Sequence, residues 1–224
     1  MRVSAENDPR LVGTIWMLNL DETTPAVLPR VQAEFRRLVR DSVPALASSI
    51  DSVTLAESTT KRLESGRQCY AAWVDGQLAA YGWVSINEEH IGELNLRIKL
   101  LAGEAYIWDC VTLPAYRENH LYSALLTYIL EELRAQSYCR AWIGADLDNV
   151  ASQKGMARAG FHHVADLGIQ RVLARRQVWV AGLPGIPESI IVEARRVFLN
   201  DRDKDRLDSS SAEITIDSAQ SSNE

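Results

Sequence analysis

The stretch Glu104–Ser137, EAYIWDCVTLPAYRENHLYSALLTYILEELRAQS, decides the fold. Tyr106, Ile107, Trp108, Val111 and Thr112 give residues 105–113 the aromatic and β-branched content of a strand, Pro114 breaks it, and the apolar spacing beyond predicts a helix. Between them stand Arg117, Glu118, Asn119, His120, Leu121, Tyr122 and Ser123. A strand that hands over directly to a helix N-terminus gathers unpaired N–H donors and the positive end of the helix dipole at one point. That point is a natural seat for an anion such as a pyrophosphate.

Working outward, Gln68–Val74 and Leu78–Ile86 are strand-like runs joined through Asp75-Gly76, a strong hairpin signal. Before them come a strand-like run from Leu11 and an amphipathic helical pattern over Val27–Arg40 whose basic face suits solvent. Pro44 leaves Val43–Ala56 ambiguous, and Ser58–Ser65 reads as a short helix closed by Gly66. Leu94, Leu96, Ile98 and Leu100 alternate with polar residues as in a strand exposed on one face, while Glu88, Glu89 and His90 read as a solvated loop.

Downstream, Arg140–Ala145 is a short strand, and Asp146–Asn149 opens a second helix that Gly160 closes. His162–Leu173 and Arg176–Val180 read as closing strands, with no ligand spacing at His162 or His163. After the loop Gly182–Gly185, Pro187 begins a helix to Leu199. Acidic and basic residues then alternate into a serine-rich stretch, which predicts a disordered tail.

Composition narrows the function classes. With 224 residues, 46% of them apolar, the chain can fill a sizeable core. A net charge of −6 argues against a nucleic-acid partner, although seven acidic against three basic residues in 201–224 carry four of those charges. Cys69, Cys110 and Cys139 show no paired spacing, so no disulfide framework and no metal site is expected. Each falls in a strand-like run and suits a small buried hydrophobe. The apolar patch Leu11–Leu20 is too short to span a bilayer, and a cytoplasmic setting without a membrane partner is the expectation.

Arg117, with His120 and Tyr122 where the two small residues would stand, lies between TLPAY and LYSALLTYIL. This segment resembles the acyl-CoA signature of the GNAT N-acetyltransferase superfamily: Arg or Gln, two residues, Gly, one residue, then Gly or Ala. Asn149-Val-Ala-Ser152, followed by Met156 and Gly160-Phe161, is similar to a second family segment. The resemblance covers about residues 11–180. It implies an α+β fold with a mixed, mostly antiparallel central sheet flanked by helices, plus the C-terminal helix and tail. The expected division is a lead over 1–10, the transferase domain over 11–181, a loop and helix over 182–200, and the tail over 201–224.

The resemblance further implies transfer of an acetyl group from acetyl-CoA, as co-substrate, to an amine of a small molecule or protein by direct attack. It assigns binding of the co-substrate to Cys110, Val111, Thr112, Arg117, Glu118, Asn119, His120, Leu121, Tyr122, Ser123, Asn149 and Ser152. Asn149 equally suits a plain helix N-cap. With a right-handed backbone at His120, its amide still donates; its imidazole either lies over the phosphates or faces solvent. Tyr122 is expected to pack sideways against the sheet.

Met156 stands where the family often places a proton-donating tyrosine, which leaves water, Tyr122 or no group at all to protonate the departing thiolate. Asp109 is a candidate base if its face of the strand meets the cleft, and otherwise a buried hydrogen-bond partner; alternation puts it opposite Trp108 and Cys110. A catalytically weak or inactive module that binds CoA or a partner protein is the alternative. The acceptor, the acyl chain length and the choice between monomer and homodimer stay open.

Overall fold

The computed structural model describes residues 9–40, 53–172 and 175–199, which divide into two compact units. The larger comprises Ile15–Asn87 and Leu100–His163. The lead up to residue 8, residues 41–52 of the ambiguous segment, and the expected tail lie outside the described residues.

Within the larger unit the strands are β1 (Arg10–Asn19, which enters it at Ile15), β2 (Glu34–Leu38), β3 (Gln68–Val74), β4 (Gln77–Ser85), β7 (Glu104–Thr112) and β8 (Arg140–Asp146). They lie in the order β1-β8-β7-β4-β3-β2. The pairs β2·β3, β3·β4 and β4·β7 are antiparallel and β7·β8 is parallel, so the sheet is mixed and mostly antiparallel, as expected. Asp75 and Gly76 both take positive φ, 50° and 76°, which the two-residue turn of the β3–β4 hairpin requires.

Helices α1 (Val53–Glu64), α2 (Leu121–Ala135) and α3 (Val150–Arg158) complete this unit. Leu121, Leu125, Leu126, Ile129, Leu130 and Leu133 form a buried stripe on α2 that packs with Ala80, Val84, Ala105 and Ile107 of the sheet. Such a stripe, apolar along one side over four turns, is what holds α2 in register with the strands. A second cluster contains Leu38, Cys69, Trp73, Leu78 and Trp83, against which Leu63 of α1 and Trp108 are packed.

The helix expected over Val27–Arg40 is not formed: residues 24–33 are irregular and β2 follows. Pro29 interrupts a helical hydrogen-bond ladder at mid-segment. Antiparallel pairing with β3 also gives the remaining residues a better use. Phe35 packs on the α2 core while Leu38 enters the Trp73 cluster, and residues three apart reach opposite faces only on a strand. Arg36, assigned to a solvent face, lies over Trp73 with 4.3 Å from Cζ to the ring centroid.

The smaller unit comprises Met1–Thr14, Glu88–Lys99 and Val164–Glu224. It contains the antiparallel pair β9 (His162–Val172, from Val164 onward) and β10 (Arg175–Gly182), the hairpin β5 (Glu88–Ile91) with β6 (Leu96–Lys99), and α4 (Glu188–Phe198). Glu88, Glu89 and His90 therefore form a strand rather than a loop, because alternate pairing with β6 buries Glu89 beside Leu96 and Ile98. Ile191, Ala194, Val197 and Phe198 of α4 are buried, and the helix packs on β10 and β6.

Candidate active site

Strand β7 changes character halfway. Residues 104–107 are buried and paired with 140–143 of β8; beyond the pair Ile107–Ile143 the parallel register ends, and residues 108–112 become half-buried or exposed. The two strands part there. On its other side β7 stays paired with β4 but carries a bulge. Tyr81 opposes Val111 and Trp83 opposes Trp108, so Gly82 alone faces Asp109 and Cys110. A Cβ at Gly82 would sit 2.8 Å from the Cys110 sulfur, so the bulge needs glycine at this position.

The bulge corrects the expected position of Asp109. With φ at +44° the alternation fails, and Asp109 shares a side with Trp108 instead of opposing it. Arg62 of α1 bridges the two: it donates a short hydrogen bond to Asp109 Oδ2, and its guanidinium carbon lies 4.6 Å from the Trp108 centroid and 5.1 Å from that of Trp83. Asp109 is thus an ion-pair partner with about a third of its side chain exposed, not a desolvated base. Cys110 points the other way. Burial, then the charge of Asp109, pushes its thiol up to about 12, so it holds its proton at neutral pH.

The turn after β7 runs through a 3-10 segment, Pro114–Tyr116, into α2. Glu118 and His120 both adopt left-handed backbone, φ +66° and +58°. His120 therefore does not have the expected right-handed conformation: it occupies the region a glycine would take without cost, because the chain must reverse within two residues to enter the helix. His120 is the N-cap of α2, its side chain makes no capping bond, and the first intrahelical bond runs from the Ala124 N–H to its carbonyl at 3.0 Å. The N–H groups of Leu121, Tyr122 and Ser123 have no acceptor within the helix.

These pieces line one cavity of about 750 Å³ within the larger unit. Strand β7 contributes Cys110, Val111 and Thr112; the turn contributes Tyr116, Arg117, Glu118 and His120; and α2 contributes Leu121, Tyr122 and Ser123. Helix α3 adds Asn149, Ala151, Ser152, Lys154, Gly155 and Arg158. Of the residues expected to bind the co-substrate, Asn119 alone is not in the wall. Its side-chain amide donates to the carbonyls of Tyr116 and Arg117 at 3.3 and 3.2 Å, and its own carbonyl accepts from the Arg30 N–H at 2.9 Å, so it braces the turn from behind.

Asn149 serves as an N-cap, its Oδ1 accepting from the Ser152 N–H at 3.1 Å, while also lining the cavity. Tyr122 packs on the core cluster that includes the sheet and also reaches α3: its ring covers Gly155, and its hydroxyl lies 2.9 Å from Ser152 Oγ. Burial, followed by the neighbouring Cys110, pushes its phenol well above the ordinary tyrosine range. Met156 is fully buried in the α2 core. Burial and the guanidiniums of Arg158 and Arg30 hold the His120 imidazole below its ordinary value.

Sequence reasoning missed Lys154, Gly155 and Arg158. The signal was present, since Ala151, Lys154, Gly155 and Arg158 follow the i, i+3, i+4, i+7 spacing of a single helix face. That face is small and basic instead of apolar, which is unusual for a helix packed on a core.

Among the described residues no helix is long and apolar enough to cross a membrane. No curated protein matches the chain. Solved structures similar in fold include the following two. An acetyltransferase of the GNAT family from Colwellia psychrerythraea superposes with a TM-score of 0.53 at 15% identity, covering 73% of this chain and 56% of its own. A GCN5-related N-acetyltransferase from Sphaerobacter thermophilus gives 0.51 at 13% identity, covering 70% and 50%. This chain thus spans about half the length of each. A family model described as "Acetyltransferase (GNAT) family" matches residues 33–161, more than half of the sequence, and on that match the chain belongs to the GNAT acetyltransferase family.

Proposed function

We propose that the protein is an acyl-CoA-dependent N-acyltransferase that moves an acetyl group from acetyl-CoA to an amine of a small molecule or protein. The observation that carries this reading is the parting of β7 and β8 beyond Ile107 and Ile143, beside a cavity floored by an uncapped helix N-terminus. Three first-turn N–H groups without helical acceptors, together with Arg117 on the wall, suit a diphosphate. The left-handed backbone at His120 keeps the loop in the shape glycine would give it, so the bulky side chains do not close the site.

Acetyl-CoA would supply the activated thioester. In the transfer, the amine nitrogen forms a bond to the acyl carbon, the carbon–sulfur bond breaks, the amine loses a proton and the thiol leaves. Cys110 keeps its proton and is a poor nucleophile, which favours direct attack over an acyl-enzyme. Tyr122, beside Cys110 and held by Ser152, retains its proton too. A phenol so reluctant to ionise stabilises a departing thiolate by donating a hydrogen bond instead of surrendering the proton. The exposed bulge backbone around Asp109–Val111 offers N–H donors for the thioester carbonyl.

The reading takes residues 11–181 as the transferase domain and a cytoplasmic setting. Titration calorimetry of the full chain with acetyl-CoA and CoA tests it: micromolar binding, weakened by Arg117→Ala, is expected, and no heat at millimolar ligand overturns it. A second reading, a CoA-binding or partner-binding module with little activity, draws support from Met156, which is fully buried and has no proton to give. Thiol release measured across a panel of amines separates the two, because sustained release excludes the inactive module.

A further inference from the structure

The geometry points to a class of acceptor: we infer that Arg62 and Asp109 bind a free α-amino acid as the acyl acceptor, its carboxylate on Arg62 and its amine on Asp109. The inference rests on the acyl-CoA reading and deepens it.

The β7 bulge sends neighbouring side chains to opposite faces of the sheet. Cys110 packs with the α2 core on the cavity side, whereas Trp108 packs with the Trp73 cluster on the other, and Arg62 ties Asp109 to that second side. Asp109 lies two residues past Ile107, the last residue of β7 paired with β8. A group held on its carboxylate therefore stands where the sheet is open, next to the backbone offered to the thioester carbonyl. An amine can reach the acyl carbon there from the face opposite the co-substrate.

The surroundings of Asp109 say which amine. Arg62 donates from Nη1 to Asp109 Oδ2 and lays its guanidinium over Trp108 and Trp83. The Trp108 ring is itself fixed, its Nε1 donating to Ser85 Oγ at 2.9 Å. Arg67 brings a second guanidinium to the same ring, 6.0 Å from Cζ to the centroid. The Arg62–Asp109 pair is positioned but not saturated. Its side chains are 30% and 34% exposed, Asp109 Oδ1 accepts from no described residue, and Arg62 Nε and Nη2 donate to none.

A purely cationic acceptor would meet two guanidiniums, and a purely anionic one would meet the carboxylate. A molecule with an amine beside a carboxylate fits both spare valences, with a charge-assisted bond at each end. The planar fork of Arg62 suits the carboxylate. Asp109 also holds left-handed backbone at φ +44°, and strain of this kind gathers at ligand clamps.

The test follows thiol release from acetyl-CoA by the full-length protein with the standard L-amino acids, each beside its own carboxamide, which keeps the amine and lacks the negative charge. A preferred amino acid is expected to exceed its carboxamide roughly 10- to 100-fold in kcat/KM, the range of one charge-assisted contact. In Arg62→Met that ratio falls to near one, and in Arg62→Lys, which keeps the charge without the fork, it is intermediate. Calorimetry with CoA, which binds across the sheet, should give the wild-type dissociation constant for both variants and so verifies their fold. If Arg62→Met does not fold, the wild-type ratio and Arg62→Lys still decide. Saturation-transfer NMR with CoA present reads amino-acid binding without turnover. A wild-type ratio near one, a ratio that survives Arg62→Met, or a panel that neither turns over nor binds overturns the acceptor assignment and leaves the acyl-CoA reading intact. No binding of acetyl-CoA to the wild-type protein removes both.

Discussion

The ring of Tyr122 lies over Gly155: a Cβ built on Gly155 would sit 2.6 Å from Tyr122 Cε1, inside any tolerable contact. Tyr122 stands where the family signature has a small residue, and across from it α3 has none of the bulk that would exclude the phenol. The two positions form one steric unit, 33 residues apart in sequence.

That unit makes Gly155→Ala destabilising, by about 1–3 kcal/mol from overpacking, although alanine alone would favour the helix by about 1 kcal/mol. Tyr122→Ala should relieve the clash. In a double-mutant cycle by urea denaturation the coupling should exceed about 1 kcal/mol, and additive effects would show that the ring moves aside freely.

The left-handed backbone of His120 sets up an opposite pair of outcomes. His120→Gly should leave the urea midpoint nearly unchanged, because relief of side-chain crowding is offset by a more flexible unfolded chain. His120→Val should lower it clearly, since a β-branched residue is strained at φ +58°. If valine is tolerated as well as glycine, the turn does not have this shape in solution.

The pH dependence of binding follows from the same imidazole. In the free protein, burial and the charges of Arg158 and Arg30 keep His120 below its ordinary value. Phosphate oxygens bound at the turn would favour the protonated form and raise it. A value that rises on binding means affinity for CoA increases as pH falls from the bound-state value toward the lower free-state value, and levels off below it. Imidazole NMR signals followed with and without saturating CoA check this, and Arg158→Ala should raise the free-state value; an unchanged titration on binding would place the phosphates elsewhere.

The cysteines should separate by reactivity. Burial drives Cys69 and Cys110 well above the ordinary thiol range, whereas Cys139 is exposed. Only thiolates alkylate readily. Mass spectrometry after brief treatment of the native protein with iodoacetamide at pH 7.5 should find the label on Cys139 first, with Cys110 labelled only on unfolding. This also corrects the sequence expectation for Cys139, which lies between elements with its sulfur donating to the Gly103 carbonyl at 3.3 Å.

How much of this was readable in advance depended on how local the physics was. The Asp75-Gly76 hairpin and the strand–turn–helix around Pro114 are set by residues adjacent in sequence, and both emerged from composition and spacing alone. Val27–Arg40 misled because its spacing fits a helix, while its actual structure is decided by the free edge of β3, whose paired residues lie 31 to 39 positions further along the chain. The wall of the cavity was legible through Arg117 and Asn149, but the packing of Tyr122 on Gly155 was not, since nothing in either segment names the other. Asp109 shows the same limit: period-two reasoning assigns its face, and a bulge enforced from Gly82 on the neighbouring strand reverses it.

The parting of β7 from β8 also bears on where this sheet presents unpaired backbone. A row of unsatisfied peptide groups at the rim of a sheet invites a neighbouring molecule to dock as an extra strand, and proteins ordinarily defend against this with lysines, prolines or short segments. Here the vacant row lies in the middle of the sheet, between strands that remain in place on both flanks. Both flanking strands belong to the same sheet, so the vacant row is not a rim along which a second sheet could extend this one. The fold thus places its adhesive strip inside the sheet and not at an outer margin.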